Sequence, residues 1–143
     1  MPASKRELIM VDVKTVLEGI TTGNGYNWDV ATVDRVVGEP DYVDDVITTF
    51  PDATIFLIEG VEELQYLPSQ KMNSLNIIID GCIPRGTATS VNDFIQDVRQ
   101  AIGLDTQRDG NATSTSIKTI TPVNERRFNH LRIKFDVQIN YLN

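Results

Sequence analysis

Residues able to do chemistry are sparse in this chain. It carries one histidine, His130, and one cysteine, Cys82. His130 sits between Asn129 and Leu131 at the head of an alternating apolar segment, and Cys82 lies just past the apolar run at 77–79. As a general base, His130 would need a nucleophile and an orienting partner brought to it by the fold. A Cys82–His130 dyad would supply the nucleophile, but no local signature accompanies either residue. A structural or solvated histidine and a buried inert thiol are the commoner roles for such isolated residues. One Cys and one His without ligand spacing make no structural zinc site. Asp41, Asp44 and Asp45 offer oxygen ligands, yet their segment lacks the alternation, glycine and terminal glutamate of a calcium loop. No Gly-x-Gly-x-x-Gly or Walker A run occurs, which leaves nucleotide binding without support. On these grounds no catalytic residue, metal or cofactor is expected.

Charge points to contacts between macromolecules. Arg126, Arg127, Arg132 and Lys134 lie close together with Phe128 among them, a composition that also suits a nucleic-acid patch. Against that, the chain has 13 Lys and Arg to 20 Asp and Glu and a net charge of −7, so there is no overall basic field to hold phosphates. Arg132 and Lys134 fall on the wet positions of an alternating strand, where a cation also discourages edge-to-edge aggregation. The favoured reading is a polar strand face, or a salt-bridging subunit contact in which Arg126, Arg127, Arg132 and Lys134 face the acidic residues Glu39, Asp41, Asp44 and Asp45.

The elements that would position these groups can be read from periodicity. At 143 residues, 41% hydrophobic and 23% charged, the chain has the size and make-up of one globular domain. A lone cysteine permits no intrachain disulfide and fits a reducing cytosol. The opening MPASKRELIM has no long apolar core, so no signal peptide is expected, and no apolar run is long enough to cross a bilayer. Ser4 and Glu7 have capping-box spacing, and Ile9, Val13, Val16, Leu17 and Ile20 form one stripe of a helix over about 5–21, ended by Gly23 and Gly25. Tyr26, Trp28, Val30 and Thr32 alternate as a strand that resumes at Val36 and Val37, with a bulge expected near Arg35.

Residues 38–52, acidic and bracketed by Pro40 and Pro51, read as a loop with a short helical turn near 44–48. Residues 53–58 are apolar on both faces and read as a central strand, with a bend at Glu59 and Gly60. A polar loop over 68–74 leads to a strand over 75–80, and a second loop follows at 84–89. Ser90 and Asp93 suit the start of a helix whose stripe is Val91, Phe94, Ile95, Val98 and Ile102, with Gly103 left-handed at its end. Residues 106–113 read as a loop and 114–121 as a strand stopped by Pro122. Leu131, Ile133, Phe135, Val137, Ile139 and Tyr141 then alternate with polar residues, the pattern of a long strand with one wet face. The order is α-β-β-β-α-β-β, an α+β domain with a single mixed or antiparallel sheet and two helices on one face.

The succession of an amphipathic helix, GYNWDVATVDRVV, FPDATIFLIEGVEEL, LNIIIDG, the helix VNDFIQDVRQAIGLD and a closing strand ending in VQINY spans nearly the whole chain. It resembles the tail terminator (tail completion) proteins of long-tailed bacteriophages, the phage lambda minor tail protein U-like family. The resemblance implies a homo-oligomer, a hexameric ring set on the last layer of the tail tube, which ends polymerisation and presents a surface to neck or head-completion proteins. It implies contact with the tail tube protein and, in a contractile tail, with the sheath protein. DNA would pass through the lumen, no membrane would be involved, and the protein would be made in the host cytoplasm and reside at the head-proximal end of the tail. The family supplies no catalytic residues. The same element order is compatible with another virion part (tube, neck or baseplate) or with a small ferredoxin-like enzyme or regulator.

Overall fold

A computed structural model describes residues 4–37, 53–66, 68, 71–84, 88–123 and 130–142. The first helix, α1, is Lys5–Glu18. Ser4 Oγ accepts the Glu7 N–H at 3.2 Å, the first half of the expected capping box. The reciprocal half gives way to a stronger partner, since the Glu7 carboxylate binds Arg35. The helix ends at Gly19, earlier than its composition suggests. Residues Thr22–Asn24 form a turn of 3-10 helix closed by Gly25 at φ 89°. Ile9, Met10, Val13, Leu17 and Ile20 are buried.

The five strands are β1 (Val30–Val37), β2 (Ala53–Tyr66), β3 (Lys71–Pro84), β4 (Ser114–Val123) and β5 (His130–Leu142), with the second helix, α2 (Ala88–Gly103), between β3 and β4. They form one sheet in the order β1-β2-β3-β5-β4. Only β1 and β2 pair parallel, and the rest is antiparallel. The mixed α+β sheet and its element order are those the sequence implies. The boundaries differ at several points. Tyr26 and Trp28 precede β1 instead of opening it, and the irregularity in β1 falls between Val30 and Thr32 rather than near Arg35. β3 starts at Lys71 and runs through Gly81 to Pro84, so most of the polar stretch 68–74 is strand. α2 begins at Ala88, which places Ser90 inside the helix, and Gly103 keeps a negative φ. β4 continues past Pro122, which an edge strand tolerates because the missing N–H faces no partner. The loop and helical turn expected over 38–52, and the loop tip at Arg85 and Gly86, lie outside the described residues.

The two helices pack on one face of the sheet. There the odd-numbered residues of β3 and β5 meet the helices: Leu75, Ile77 and Ile79 with Ile133, Phe135, Val137 and Ile139, all buried with Phe94, Val98 and Ile102 of α2. Phe94 makes an edge contact with Trp28 (centroids 6.4 Å apart) and a tilted one with Phe135 (6.3 Å). α2 is also tied to the start of β1 by Asp97, a buried carboxylate. It accepts the Asn27 N–H at 3.0 Å, the Asn27 side-chain amide at 3.0 Å and the Trp28 N–H at 2.8 Å. On the opposite face Phe56 and Cys82, with Val36 against them, form a second small apolar cluster.

Deleting a buried aromatic side chain removes its transfer free energy and leaves a cavity, at a cost of about 3–5 kcal/mol. Phe135→Ala is therefore expected to melt far below the parent or to be insoluble. Gln138→Ala, on the other face of the same strand, is expected to be near neutral. Equal melting temperatures for the two by calorimetry would refute this division of faces.

Candidate assembly surfaces

Of the eight residues expected at a subunit contact, Glu39, Asp41, Asp44, Asp45, Arg126 and Arg127 lie outside the described residues. In chain order the acidic four fall between β1 and β2. Arg126 and Arg127 fall between β4 and β5. Arg132 and Lys134 sit on the face of β5 away from the helices. The charge of Arg132 is directed inward: its Nη2 lies 2.5 Å from Oδ2 of Asp80, a carboxylate with no exposed surface. This diagonal pair spans β3 and β5, because Cys82 stands opposite Arg132 and Asp80 opposite Lys134. Lys134 is half-buried beside it. Cys82 is buried, and register places His130 opposite Pro84, one alternation beyond Cys82.

A charge network that the sequence did not reveal joins α1 to β1 and β2. Arg35 grips Glu7 with both Nη atoms, at 2.6 and 2.9 Å, and reaches Glu59 at 2.7 Å. Arg6 lies 3.3 Å from Glu62 and 3.6 Å from Glu59, and the Tyr141 hydroxyl donates to Glu62. Helical and strand spacing could have found only the i-to-i neighbours. These five charges come from three elements and meet only when the sheet is assembled.

The face of the sheet away from the helices is a polar lattice along its upper half. Ser74 Oγ donates to Asn140 Oδ1 at 2.6 Å, Asn140 Nδ2 donates to Ser114 Oγ at 3.0 Å, and Thr119 Oγ1 donates to Asp136 Oδ2 at 2.5 Å. A groove of about 420 Å³ lies there between Val61, Asn76, Ile78, Lys118 and Asp136. Among the described residues no group of three or more His, Cys, Asp or Glu is placed to hold a metal ion, and no helix is long and apolar enough to cross a membrane. Among the described residues the geometry offers hydrogen-bonding surfaces, ion pairs, and a sheet that ends at β1 and β4.

This architecture has a counterpart among solved structures. A chain of the virion of a native gene transfer agent particle superposes with a TM-score of 0.59 at 10% identity, over 94% of this chain and 94% of that one. Identity that low establishes a shared fold. By sequence, the chain matches no family model and no curated protein at a significant level.

The charge network makes stability depend on acid. The hydrogen bonds from Arg35 hold the Glu7 carboxyl below its ordinary value, and the Asp109 and Gln107 N–H groups do the same for Asp105. A carboxyl whose folded value is depressed contributes stability that is complete above its unfolded value, about 4.3 for Glu and 3.9 for Asp, and that is lost as pH falls through the lower folded value. Asp12 runs the other way, since burial raises it and its contribution is present only at low pH. The melting temperature is therefore expected to fall as pH drops from about 5 towards 3. Glu7→Gln and Asp105→Asn should each flatten the fall, and a variant keeping the full slope would remove its carboxyl from this account.

Proposed function

We propose that this chain is a structural part of a phage-like particle, assembling side by side with copies of itself into a ring that ends the tail tube and offers its outer rim to neck proteins. The observation that carries the reading is the fold likeness to a chain of the gene transfer agent virion, itself a phage-like particle, along almost the full length of both chains. The element order, which resembles that of tail terminators, adds the specific place in the tail. A closed ring repeats one heterologous contact, so two different patches on each copy must match. The sequence offers a candidate pair of patches, the acidic residues Glu39, Asp41, Asp44 and Asp45 and the basic residues Arg126 and Arg127. A net charge of −7 suits a lumen through which DNA slides without sticking.

The test is assembly of the full chain. Light scattering should give the mass of a small closed oligomer, and negative-stain images should show six-fold rings that cap purified tubes at one end. Open filaments of stacked rings would instead make this the tube protein. Exposed ion pairs contribute only about 0–1 kcal/mol each, so charge would orient the contact while apolar area holds it. Reversing Arg126 and Arg127 to Glu should block assembly, and adding Asp44→Lys with Asp45→Lys should partly restore it. Capping at the parental rate by the first variant would sink the pairing.

A structural role also predicts that Cys82→Ser combined with His130→Gln leaves assembly intact. A folded double variant that loses a hydrolase or transferase activity present in the parent would replace this reading with an enzymatic one.

A further inference from the structure

The far end of β2 stands apart from the rest of the sheet. Pairing with β1 stops at Glu59, opposite Val37, while β2 runs on to Tyr66 against β3. Among the described residues no strand pairs with the other edge of 60–66, and Val61, Leu64 and Tyr66 are 71, 54 and 69% exposed. From 61 to 66 one residue alone is not exposed, and it is a carboxylate, Glu62. The bulge puts it there. Unbroken alternation would turn residues 59 and 62 to opposite faces, but the register shift sets Glu59 opposite Ile77 and Glu62 opposite Leu75, both on the helix side. The two carboxylates thereby come under the first turn of α1, where Arg6 lies 3.6 Å from Glu59 and 3.3 Å from Glu62. The hydroxyl of Tyr141, a buried residue of β5, donates to Glu62 as well. Two further contacts of this stretch go to β3: Asn76 Nδ2 donates to the Val61 carbonyl at 3.1 Å, and Lys71 Nζ stands 5.6 Å from the centre of the Tyr66 ring.

We propose that Glu62 is an ionic latch. Arg6 from α1 and Tyr141 from β5 hold the unsupported end of β2 on the sheet through this one side chain, and loosening it frees 62–66 while the rest of the domain stays folded. Along 53–59, β1 pairs with the outer edge of β2, and the side chains from Ala53 to Ile58 are buried. Along 61–66 neither support is present among the described residues, and a strand so placed opens locally far more readily than the core. Charge takes the place of both. On one side it comes from a helix fixed in the core by Ile9, Met10 and Val13, and on the other from a buried tyrosine. The Arg6 side chain is 36% exposed, so added salt reaches the pair and weakens it. Arg35 still holds Glu59, at 2.7 Å, when Arg6 lets go, which confines the release to the part of β2 past the bulge. A released end presents main-chain donors and acceptors together with Val61, Leu64 and Tyr66, the combination that takes up another strand. The latch thus sets how readily this edge meets a second chain.

Hydrogen exchange of the full chain, read peptide by peptide, tests the latch. In the parent, amides in 62–66 should exchange faster as salt rises from about 0.05 to about 1 M, while those in 133–139 stay unchanged. Arg6→Gln and Glu62→Gln should each raise exchange in 62–66 about three- to tenfold at low salt and remove most of its salt dependence. Both should melt within a few degrees of the parent. The double variant should match either single one, because both substitutions remove the same contact. Parental exchange in 62–66 that ignores salt would overturn the latch, and so would single variants that exchange there at the parental rate. A double variant accelerated by the product of the two single effects would overturn it too, since Arg6 and Glu62 would then act separately. Equal acceleration in 62–66 and 133–139 would assign Arg6 to the stability of the whole domain instead.

Discussion

Phe94 can rest on β3 only because residue 81 has no side chain. A Cβ at Gly81 would come within 2.4 Å of the Phe94 ring, closer than any real contact allows. With that atom absent, the ring settles on the sheet backbone and places α2 across β3 and β5. Its edge then meets Trp28, and its flank meets Phe135. The same helix turns Asp97 towards the chain entering β1, where the carboxylate takes the N–H groups of Asn27 and Trp28. Asp97 is itself buried, and these donors are what its carboxylate has in place of water. One missing side chain thus sets the depth of α2, and the depth of α2 sets where β1 begins.

That dependence explains which parts of the fold could be read in advance. Where burial has a period, the sequence states it. β5 alternates from Ile133 to Tyr141, and its inward residues are all buried. Where a single distant group overrides the local pattern, the sequence is silent. Tyr26 and Trp28 alternate like a strand, but Asp97 claims the backbone donors that strand pairing would need. Lys71, Met72, Asn73 and Ser74 look like a loop, but β2 continues far enough to pair with all four and β5 with the last three.

Arg108 is the extreme case. It lies in a polar stretch yet is wholly buried, and its Nη2 donates to the Ile102 carbonyl at 2.7 Å near the end of α2. Asp105 folds the loop around it by accepting the Gln107 and Asp109 N–H groups, and Arg108 and Asp109 take positive φ to comply. Arg108 Nη1 is 3.2 Å from Asp12 Oδ2 without the alignment of a hydrogen bond, so this pair joins the loop to α1 chiefly through charge. Of the expected contact residues, Arg132 was legible as a strand position on the wet face. Its inward pairing with Asp80 was not, because that pairing depends on the register between β3 and β5.

The two bulges matter for the same reason that register does. β2 carries its extra residue at Gly60 and Val61, where a side chain on residue 60 would strike the Asn76 carbonyl at 2.7 Å, and β4 carries its own at Lys118. Both irregularities sit beside one row of the sheet, Glu59–Ile77–Val137–Ile117. A bulge increases local twist and bends its strand. Two of them at one height divide the sheet into a lower part that includes β1 and an upper part of four strands, and the helix-side core runs through both, with Leu75, Ile139 and Tyr141 buried above the row. Below the row, Ile79, Ile133 and Phe135 are buried in one cluster with Phe94, Val98 and Ile102 of α2. Above it, the sheet is held by main-chain pairing, by the Ser74–Asn140–Ser114 hydrogen bonds and by the link from Tyr141 through Glu62 to Arg6. The bends thus fall where β1 stops and β2 continues, so among the described residues the extra twist is concentrated where the sheet narrows from five strands to four.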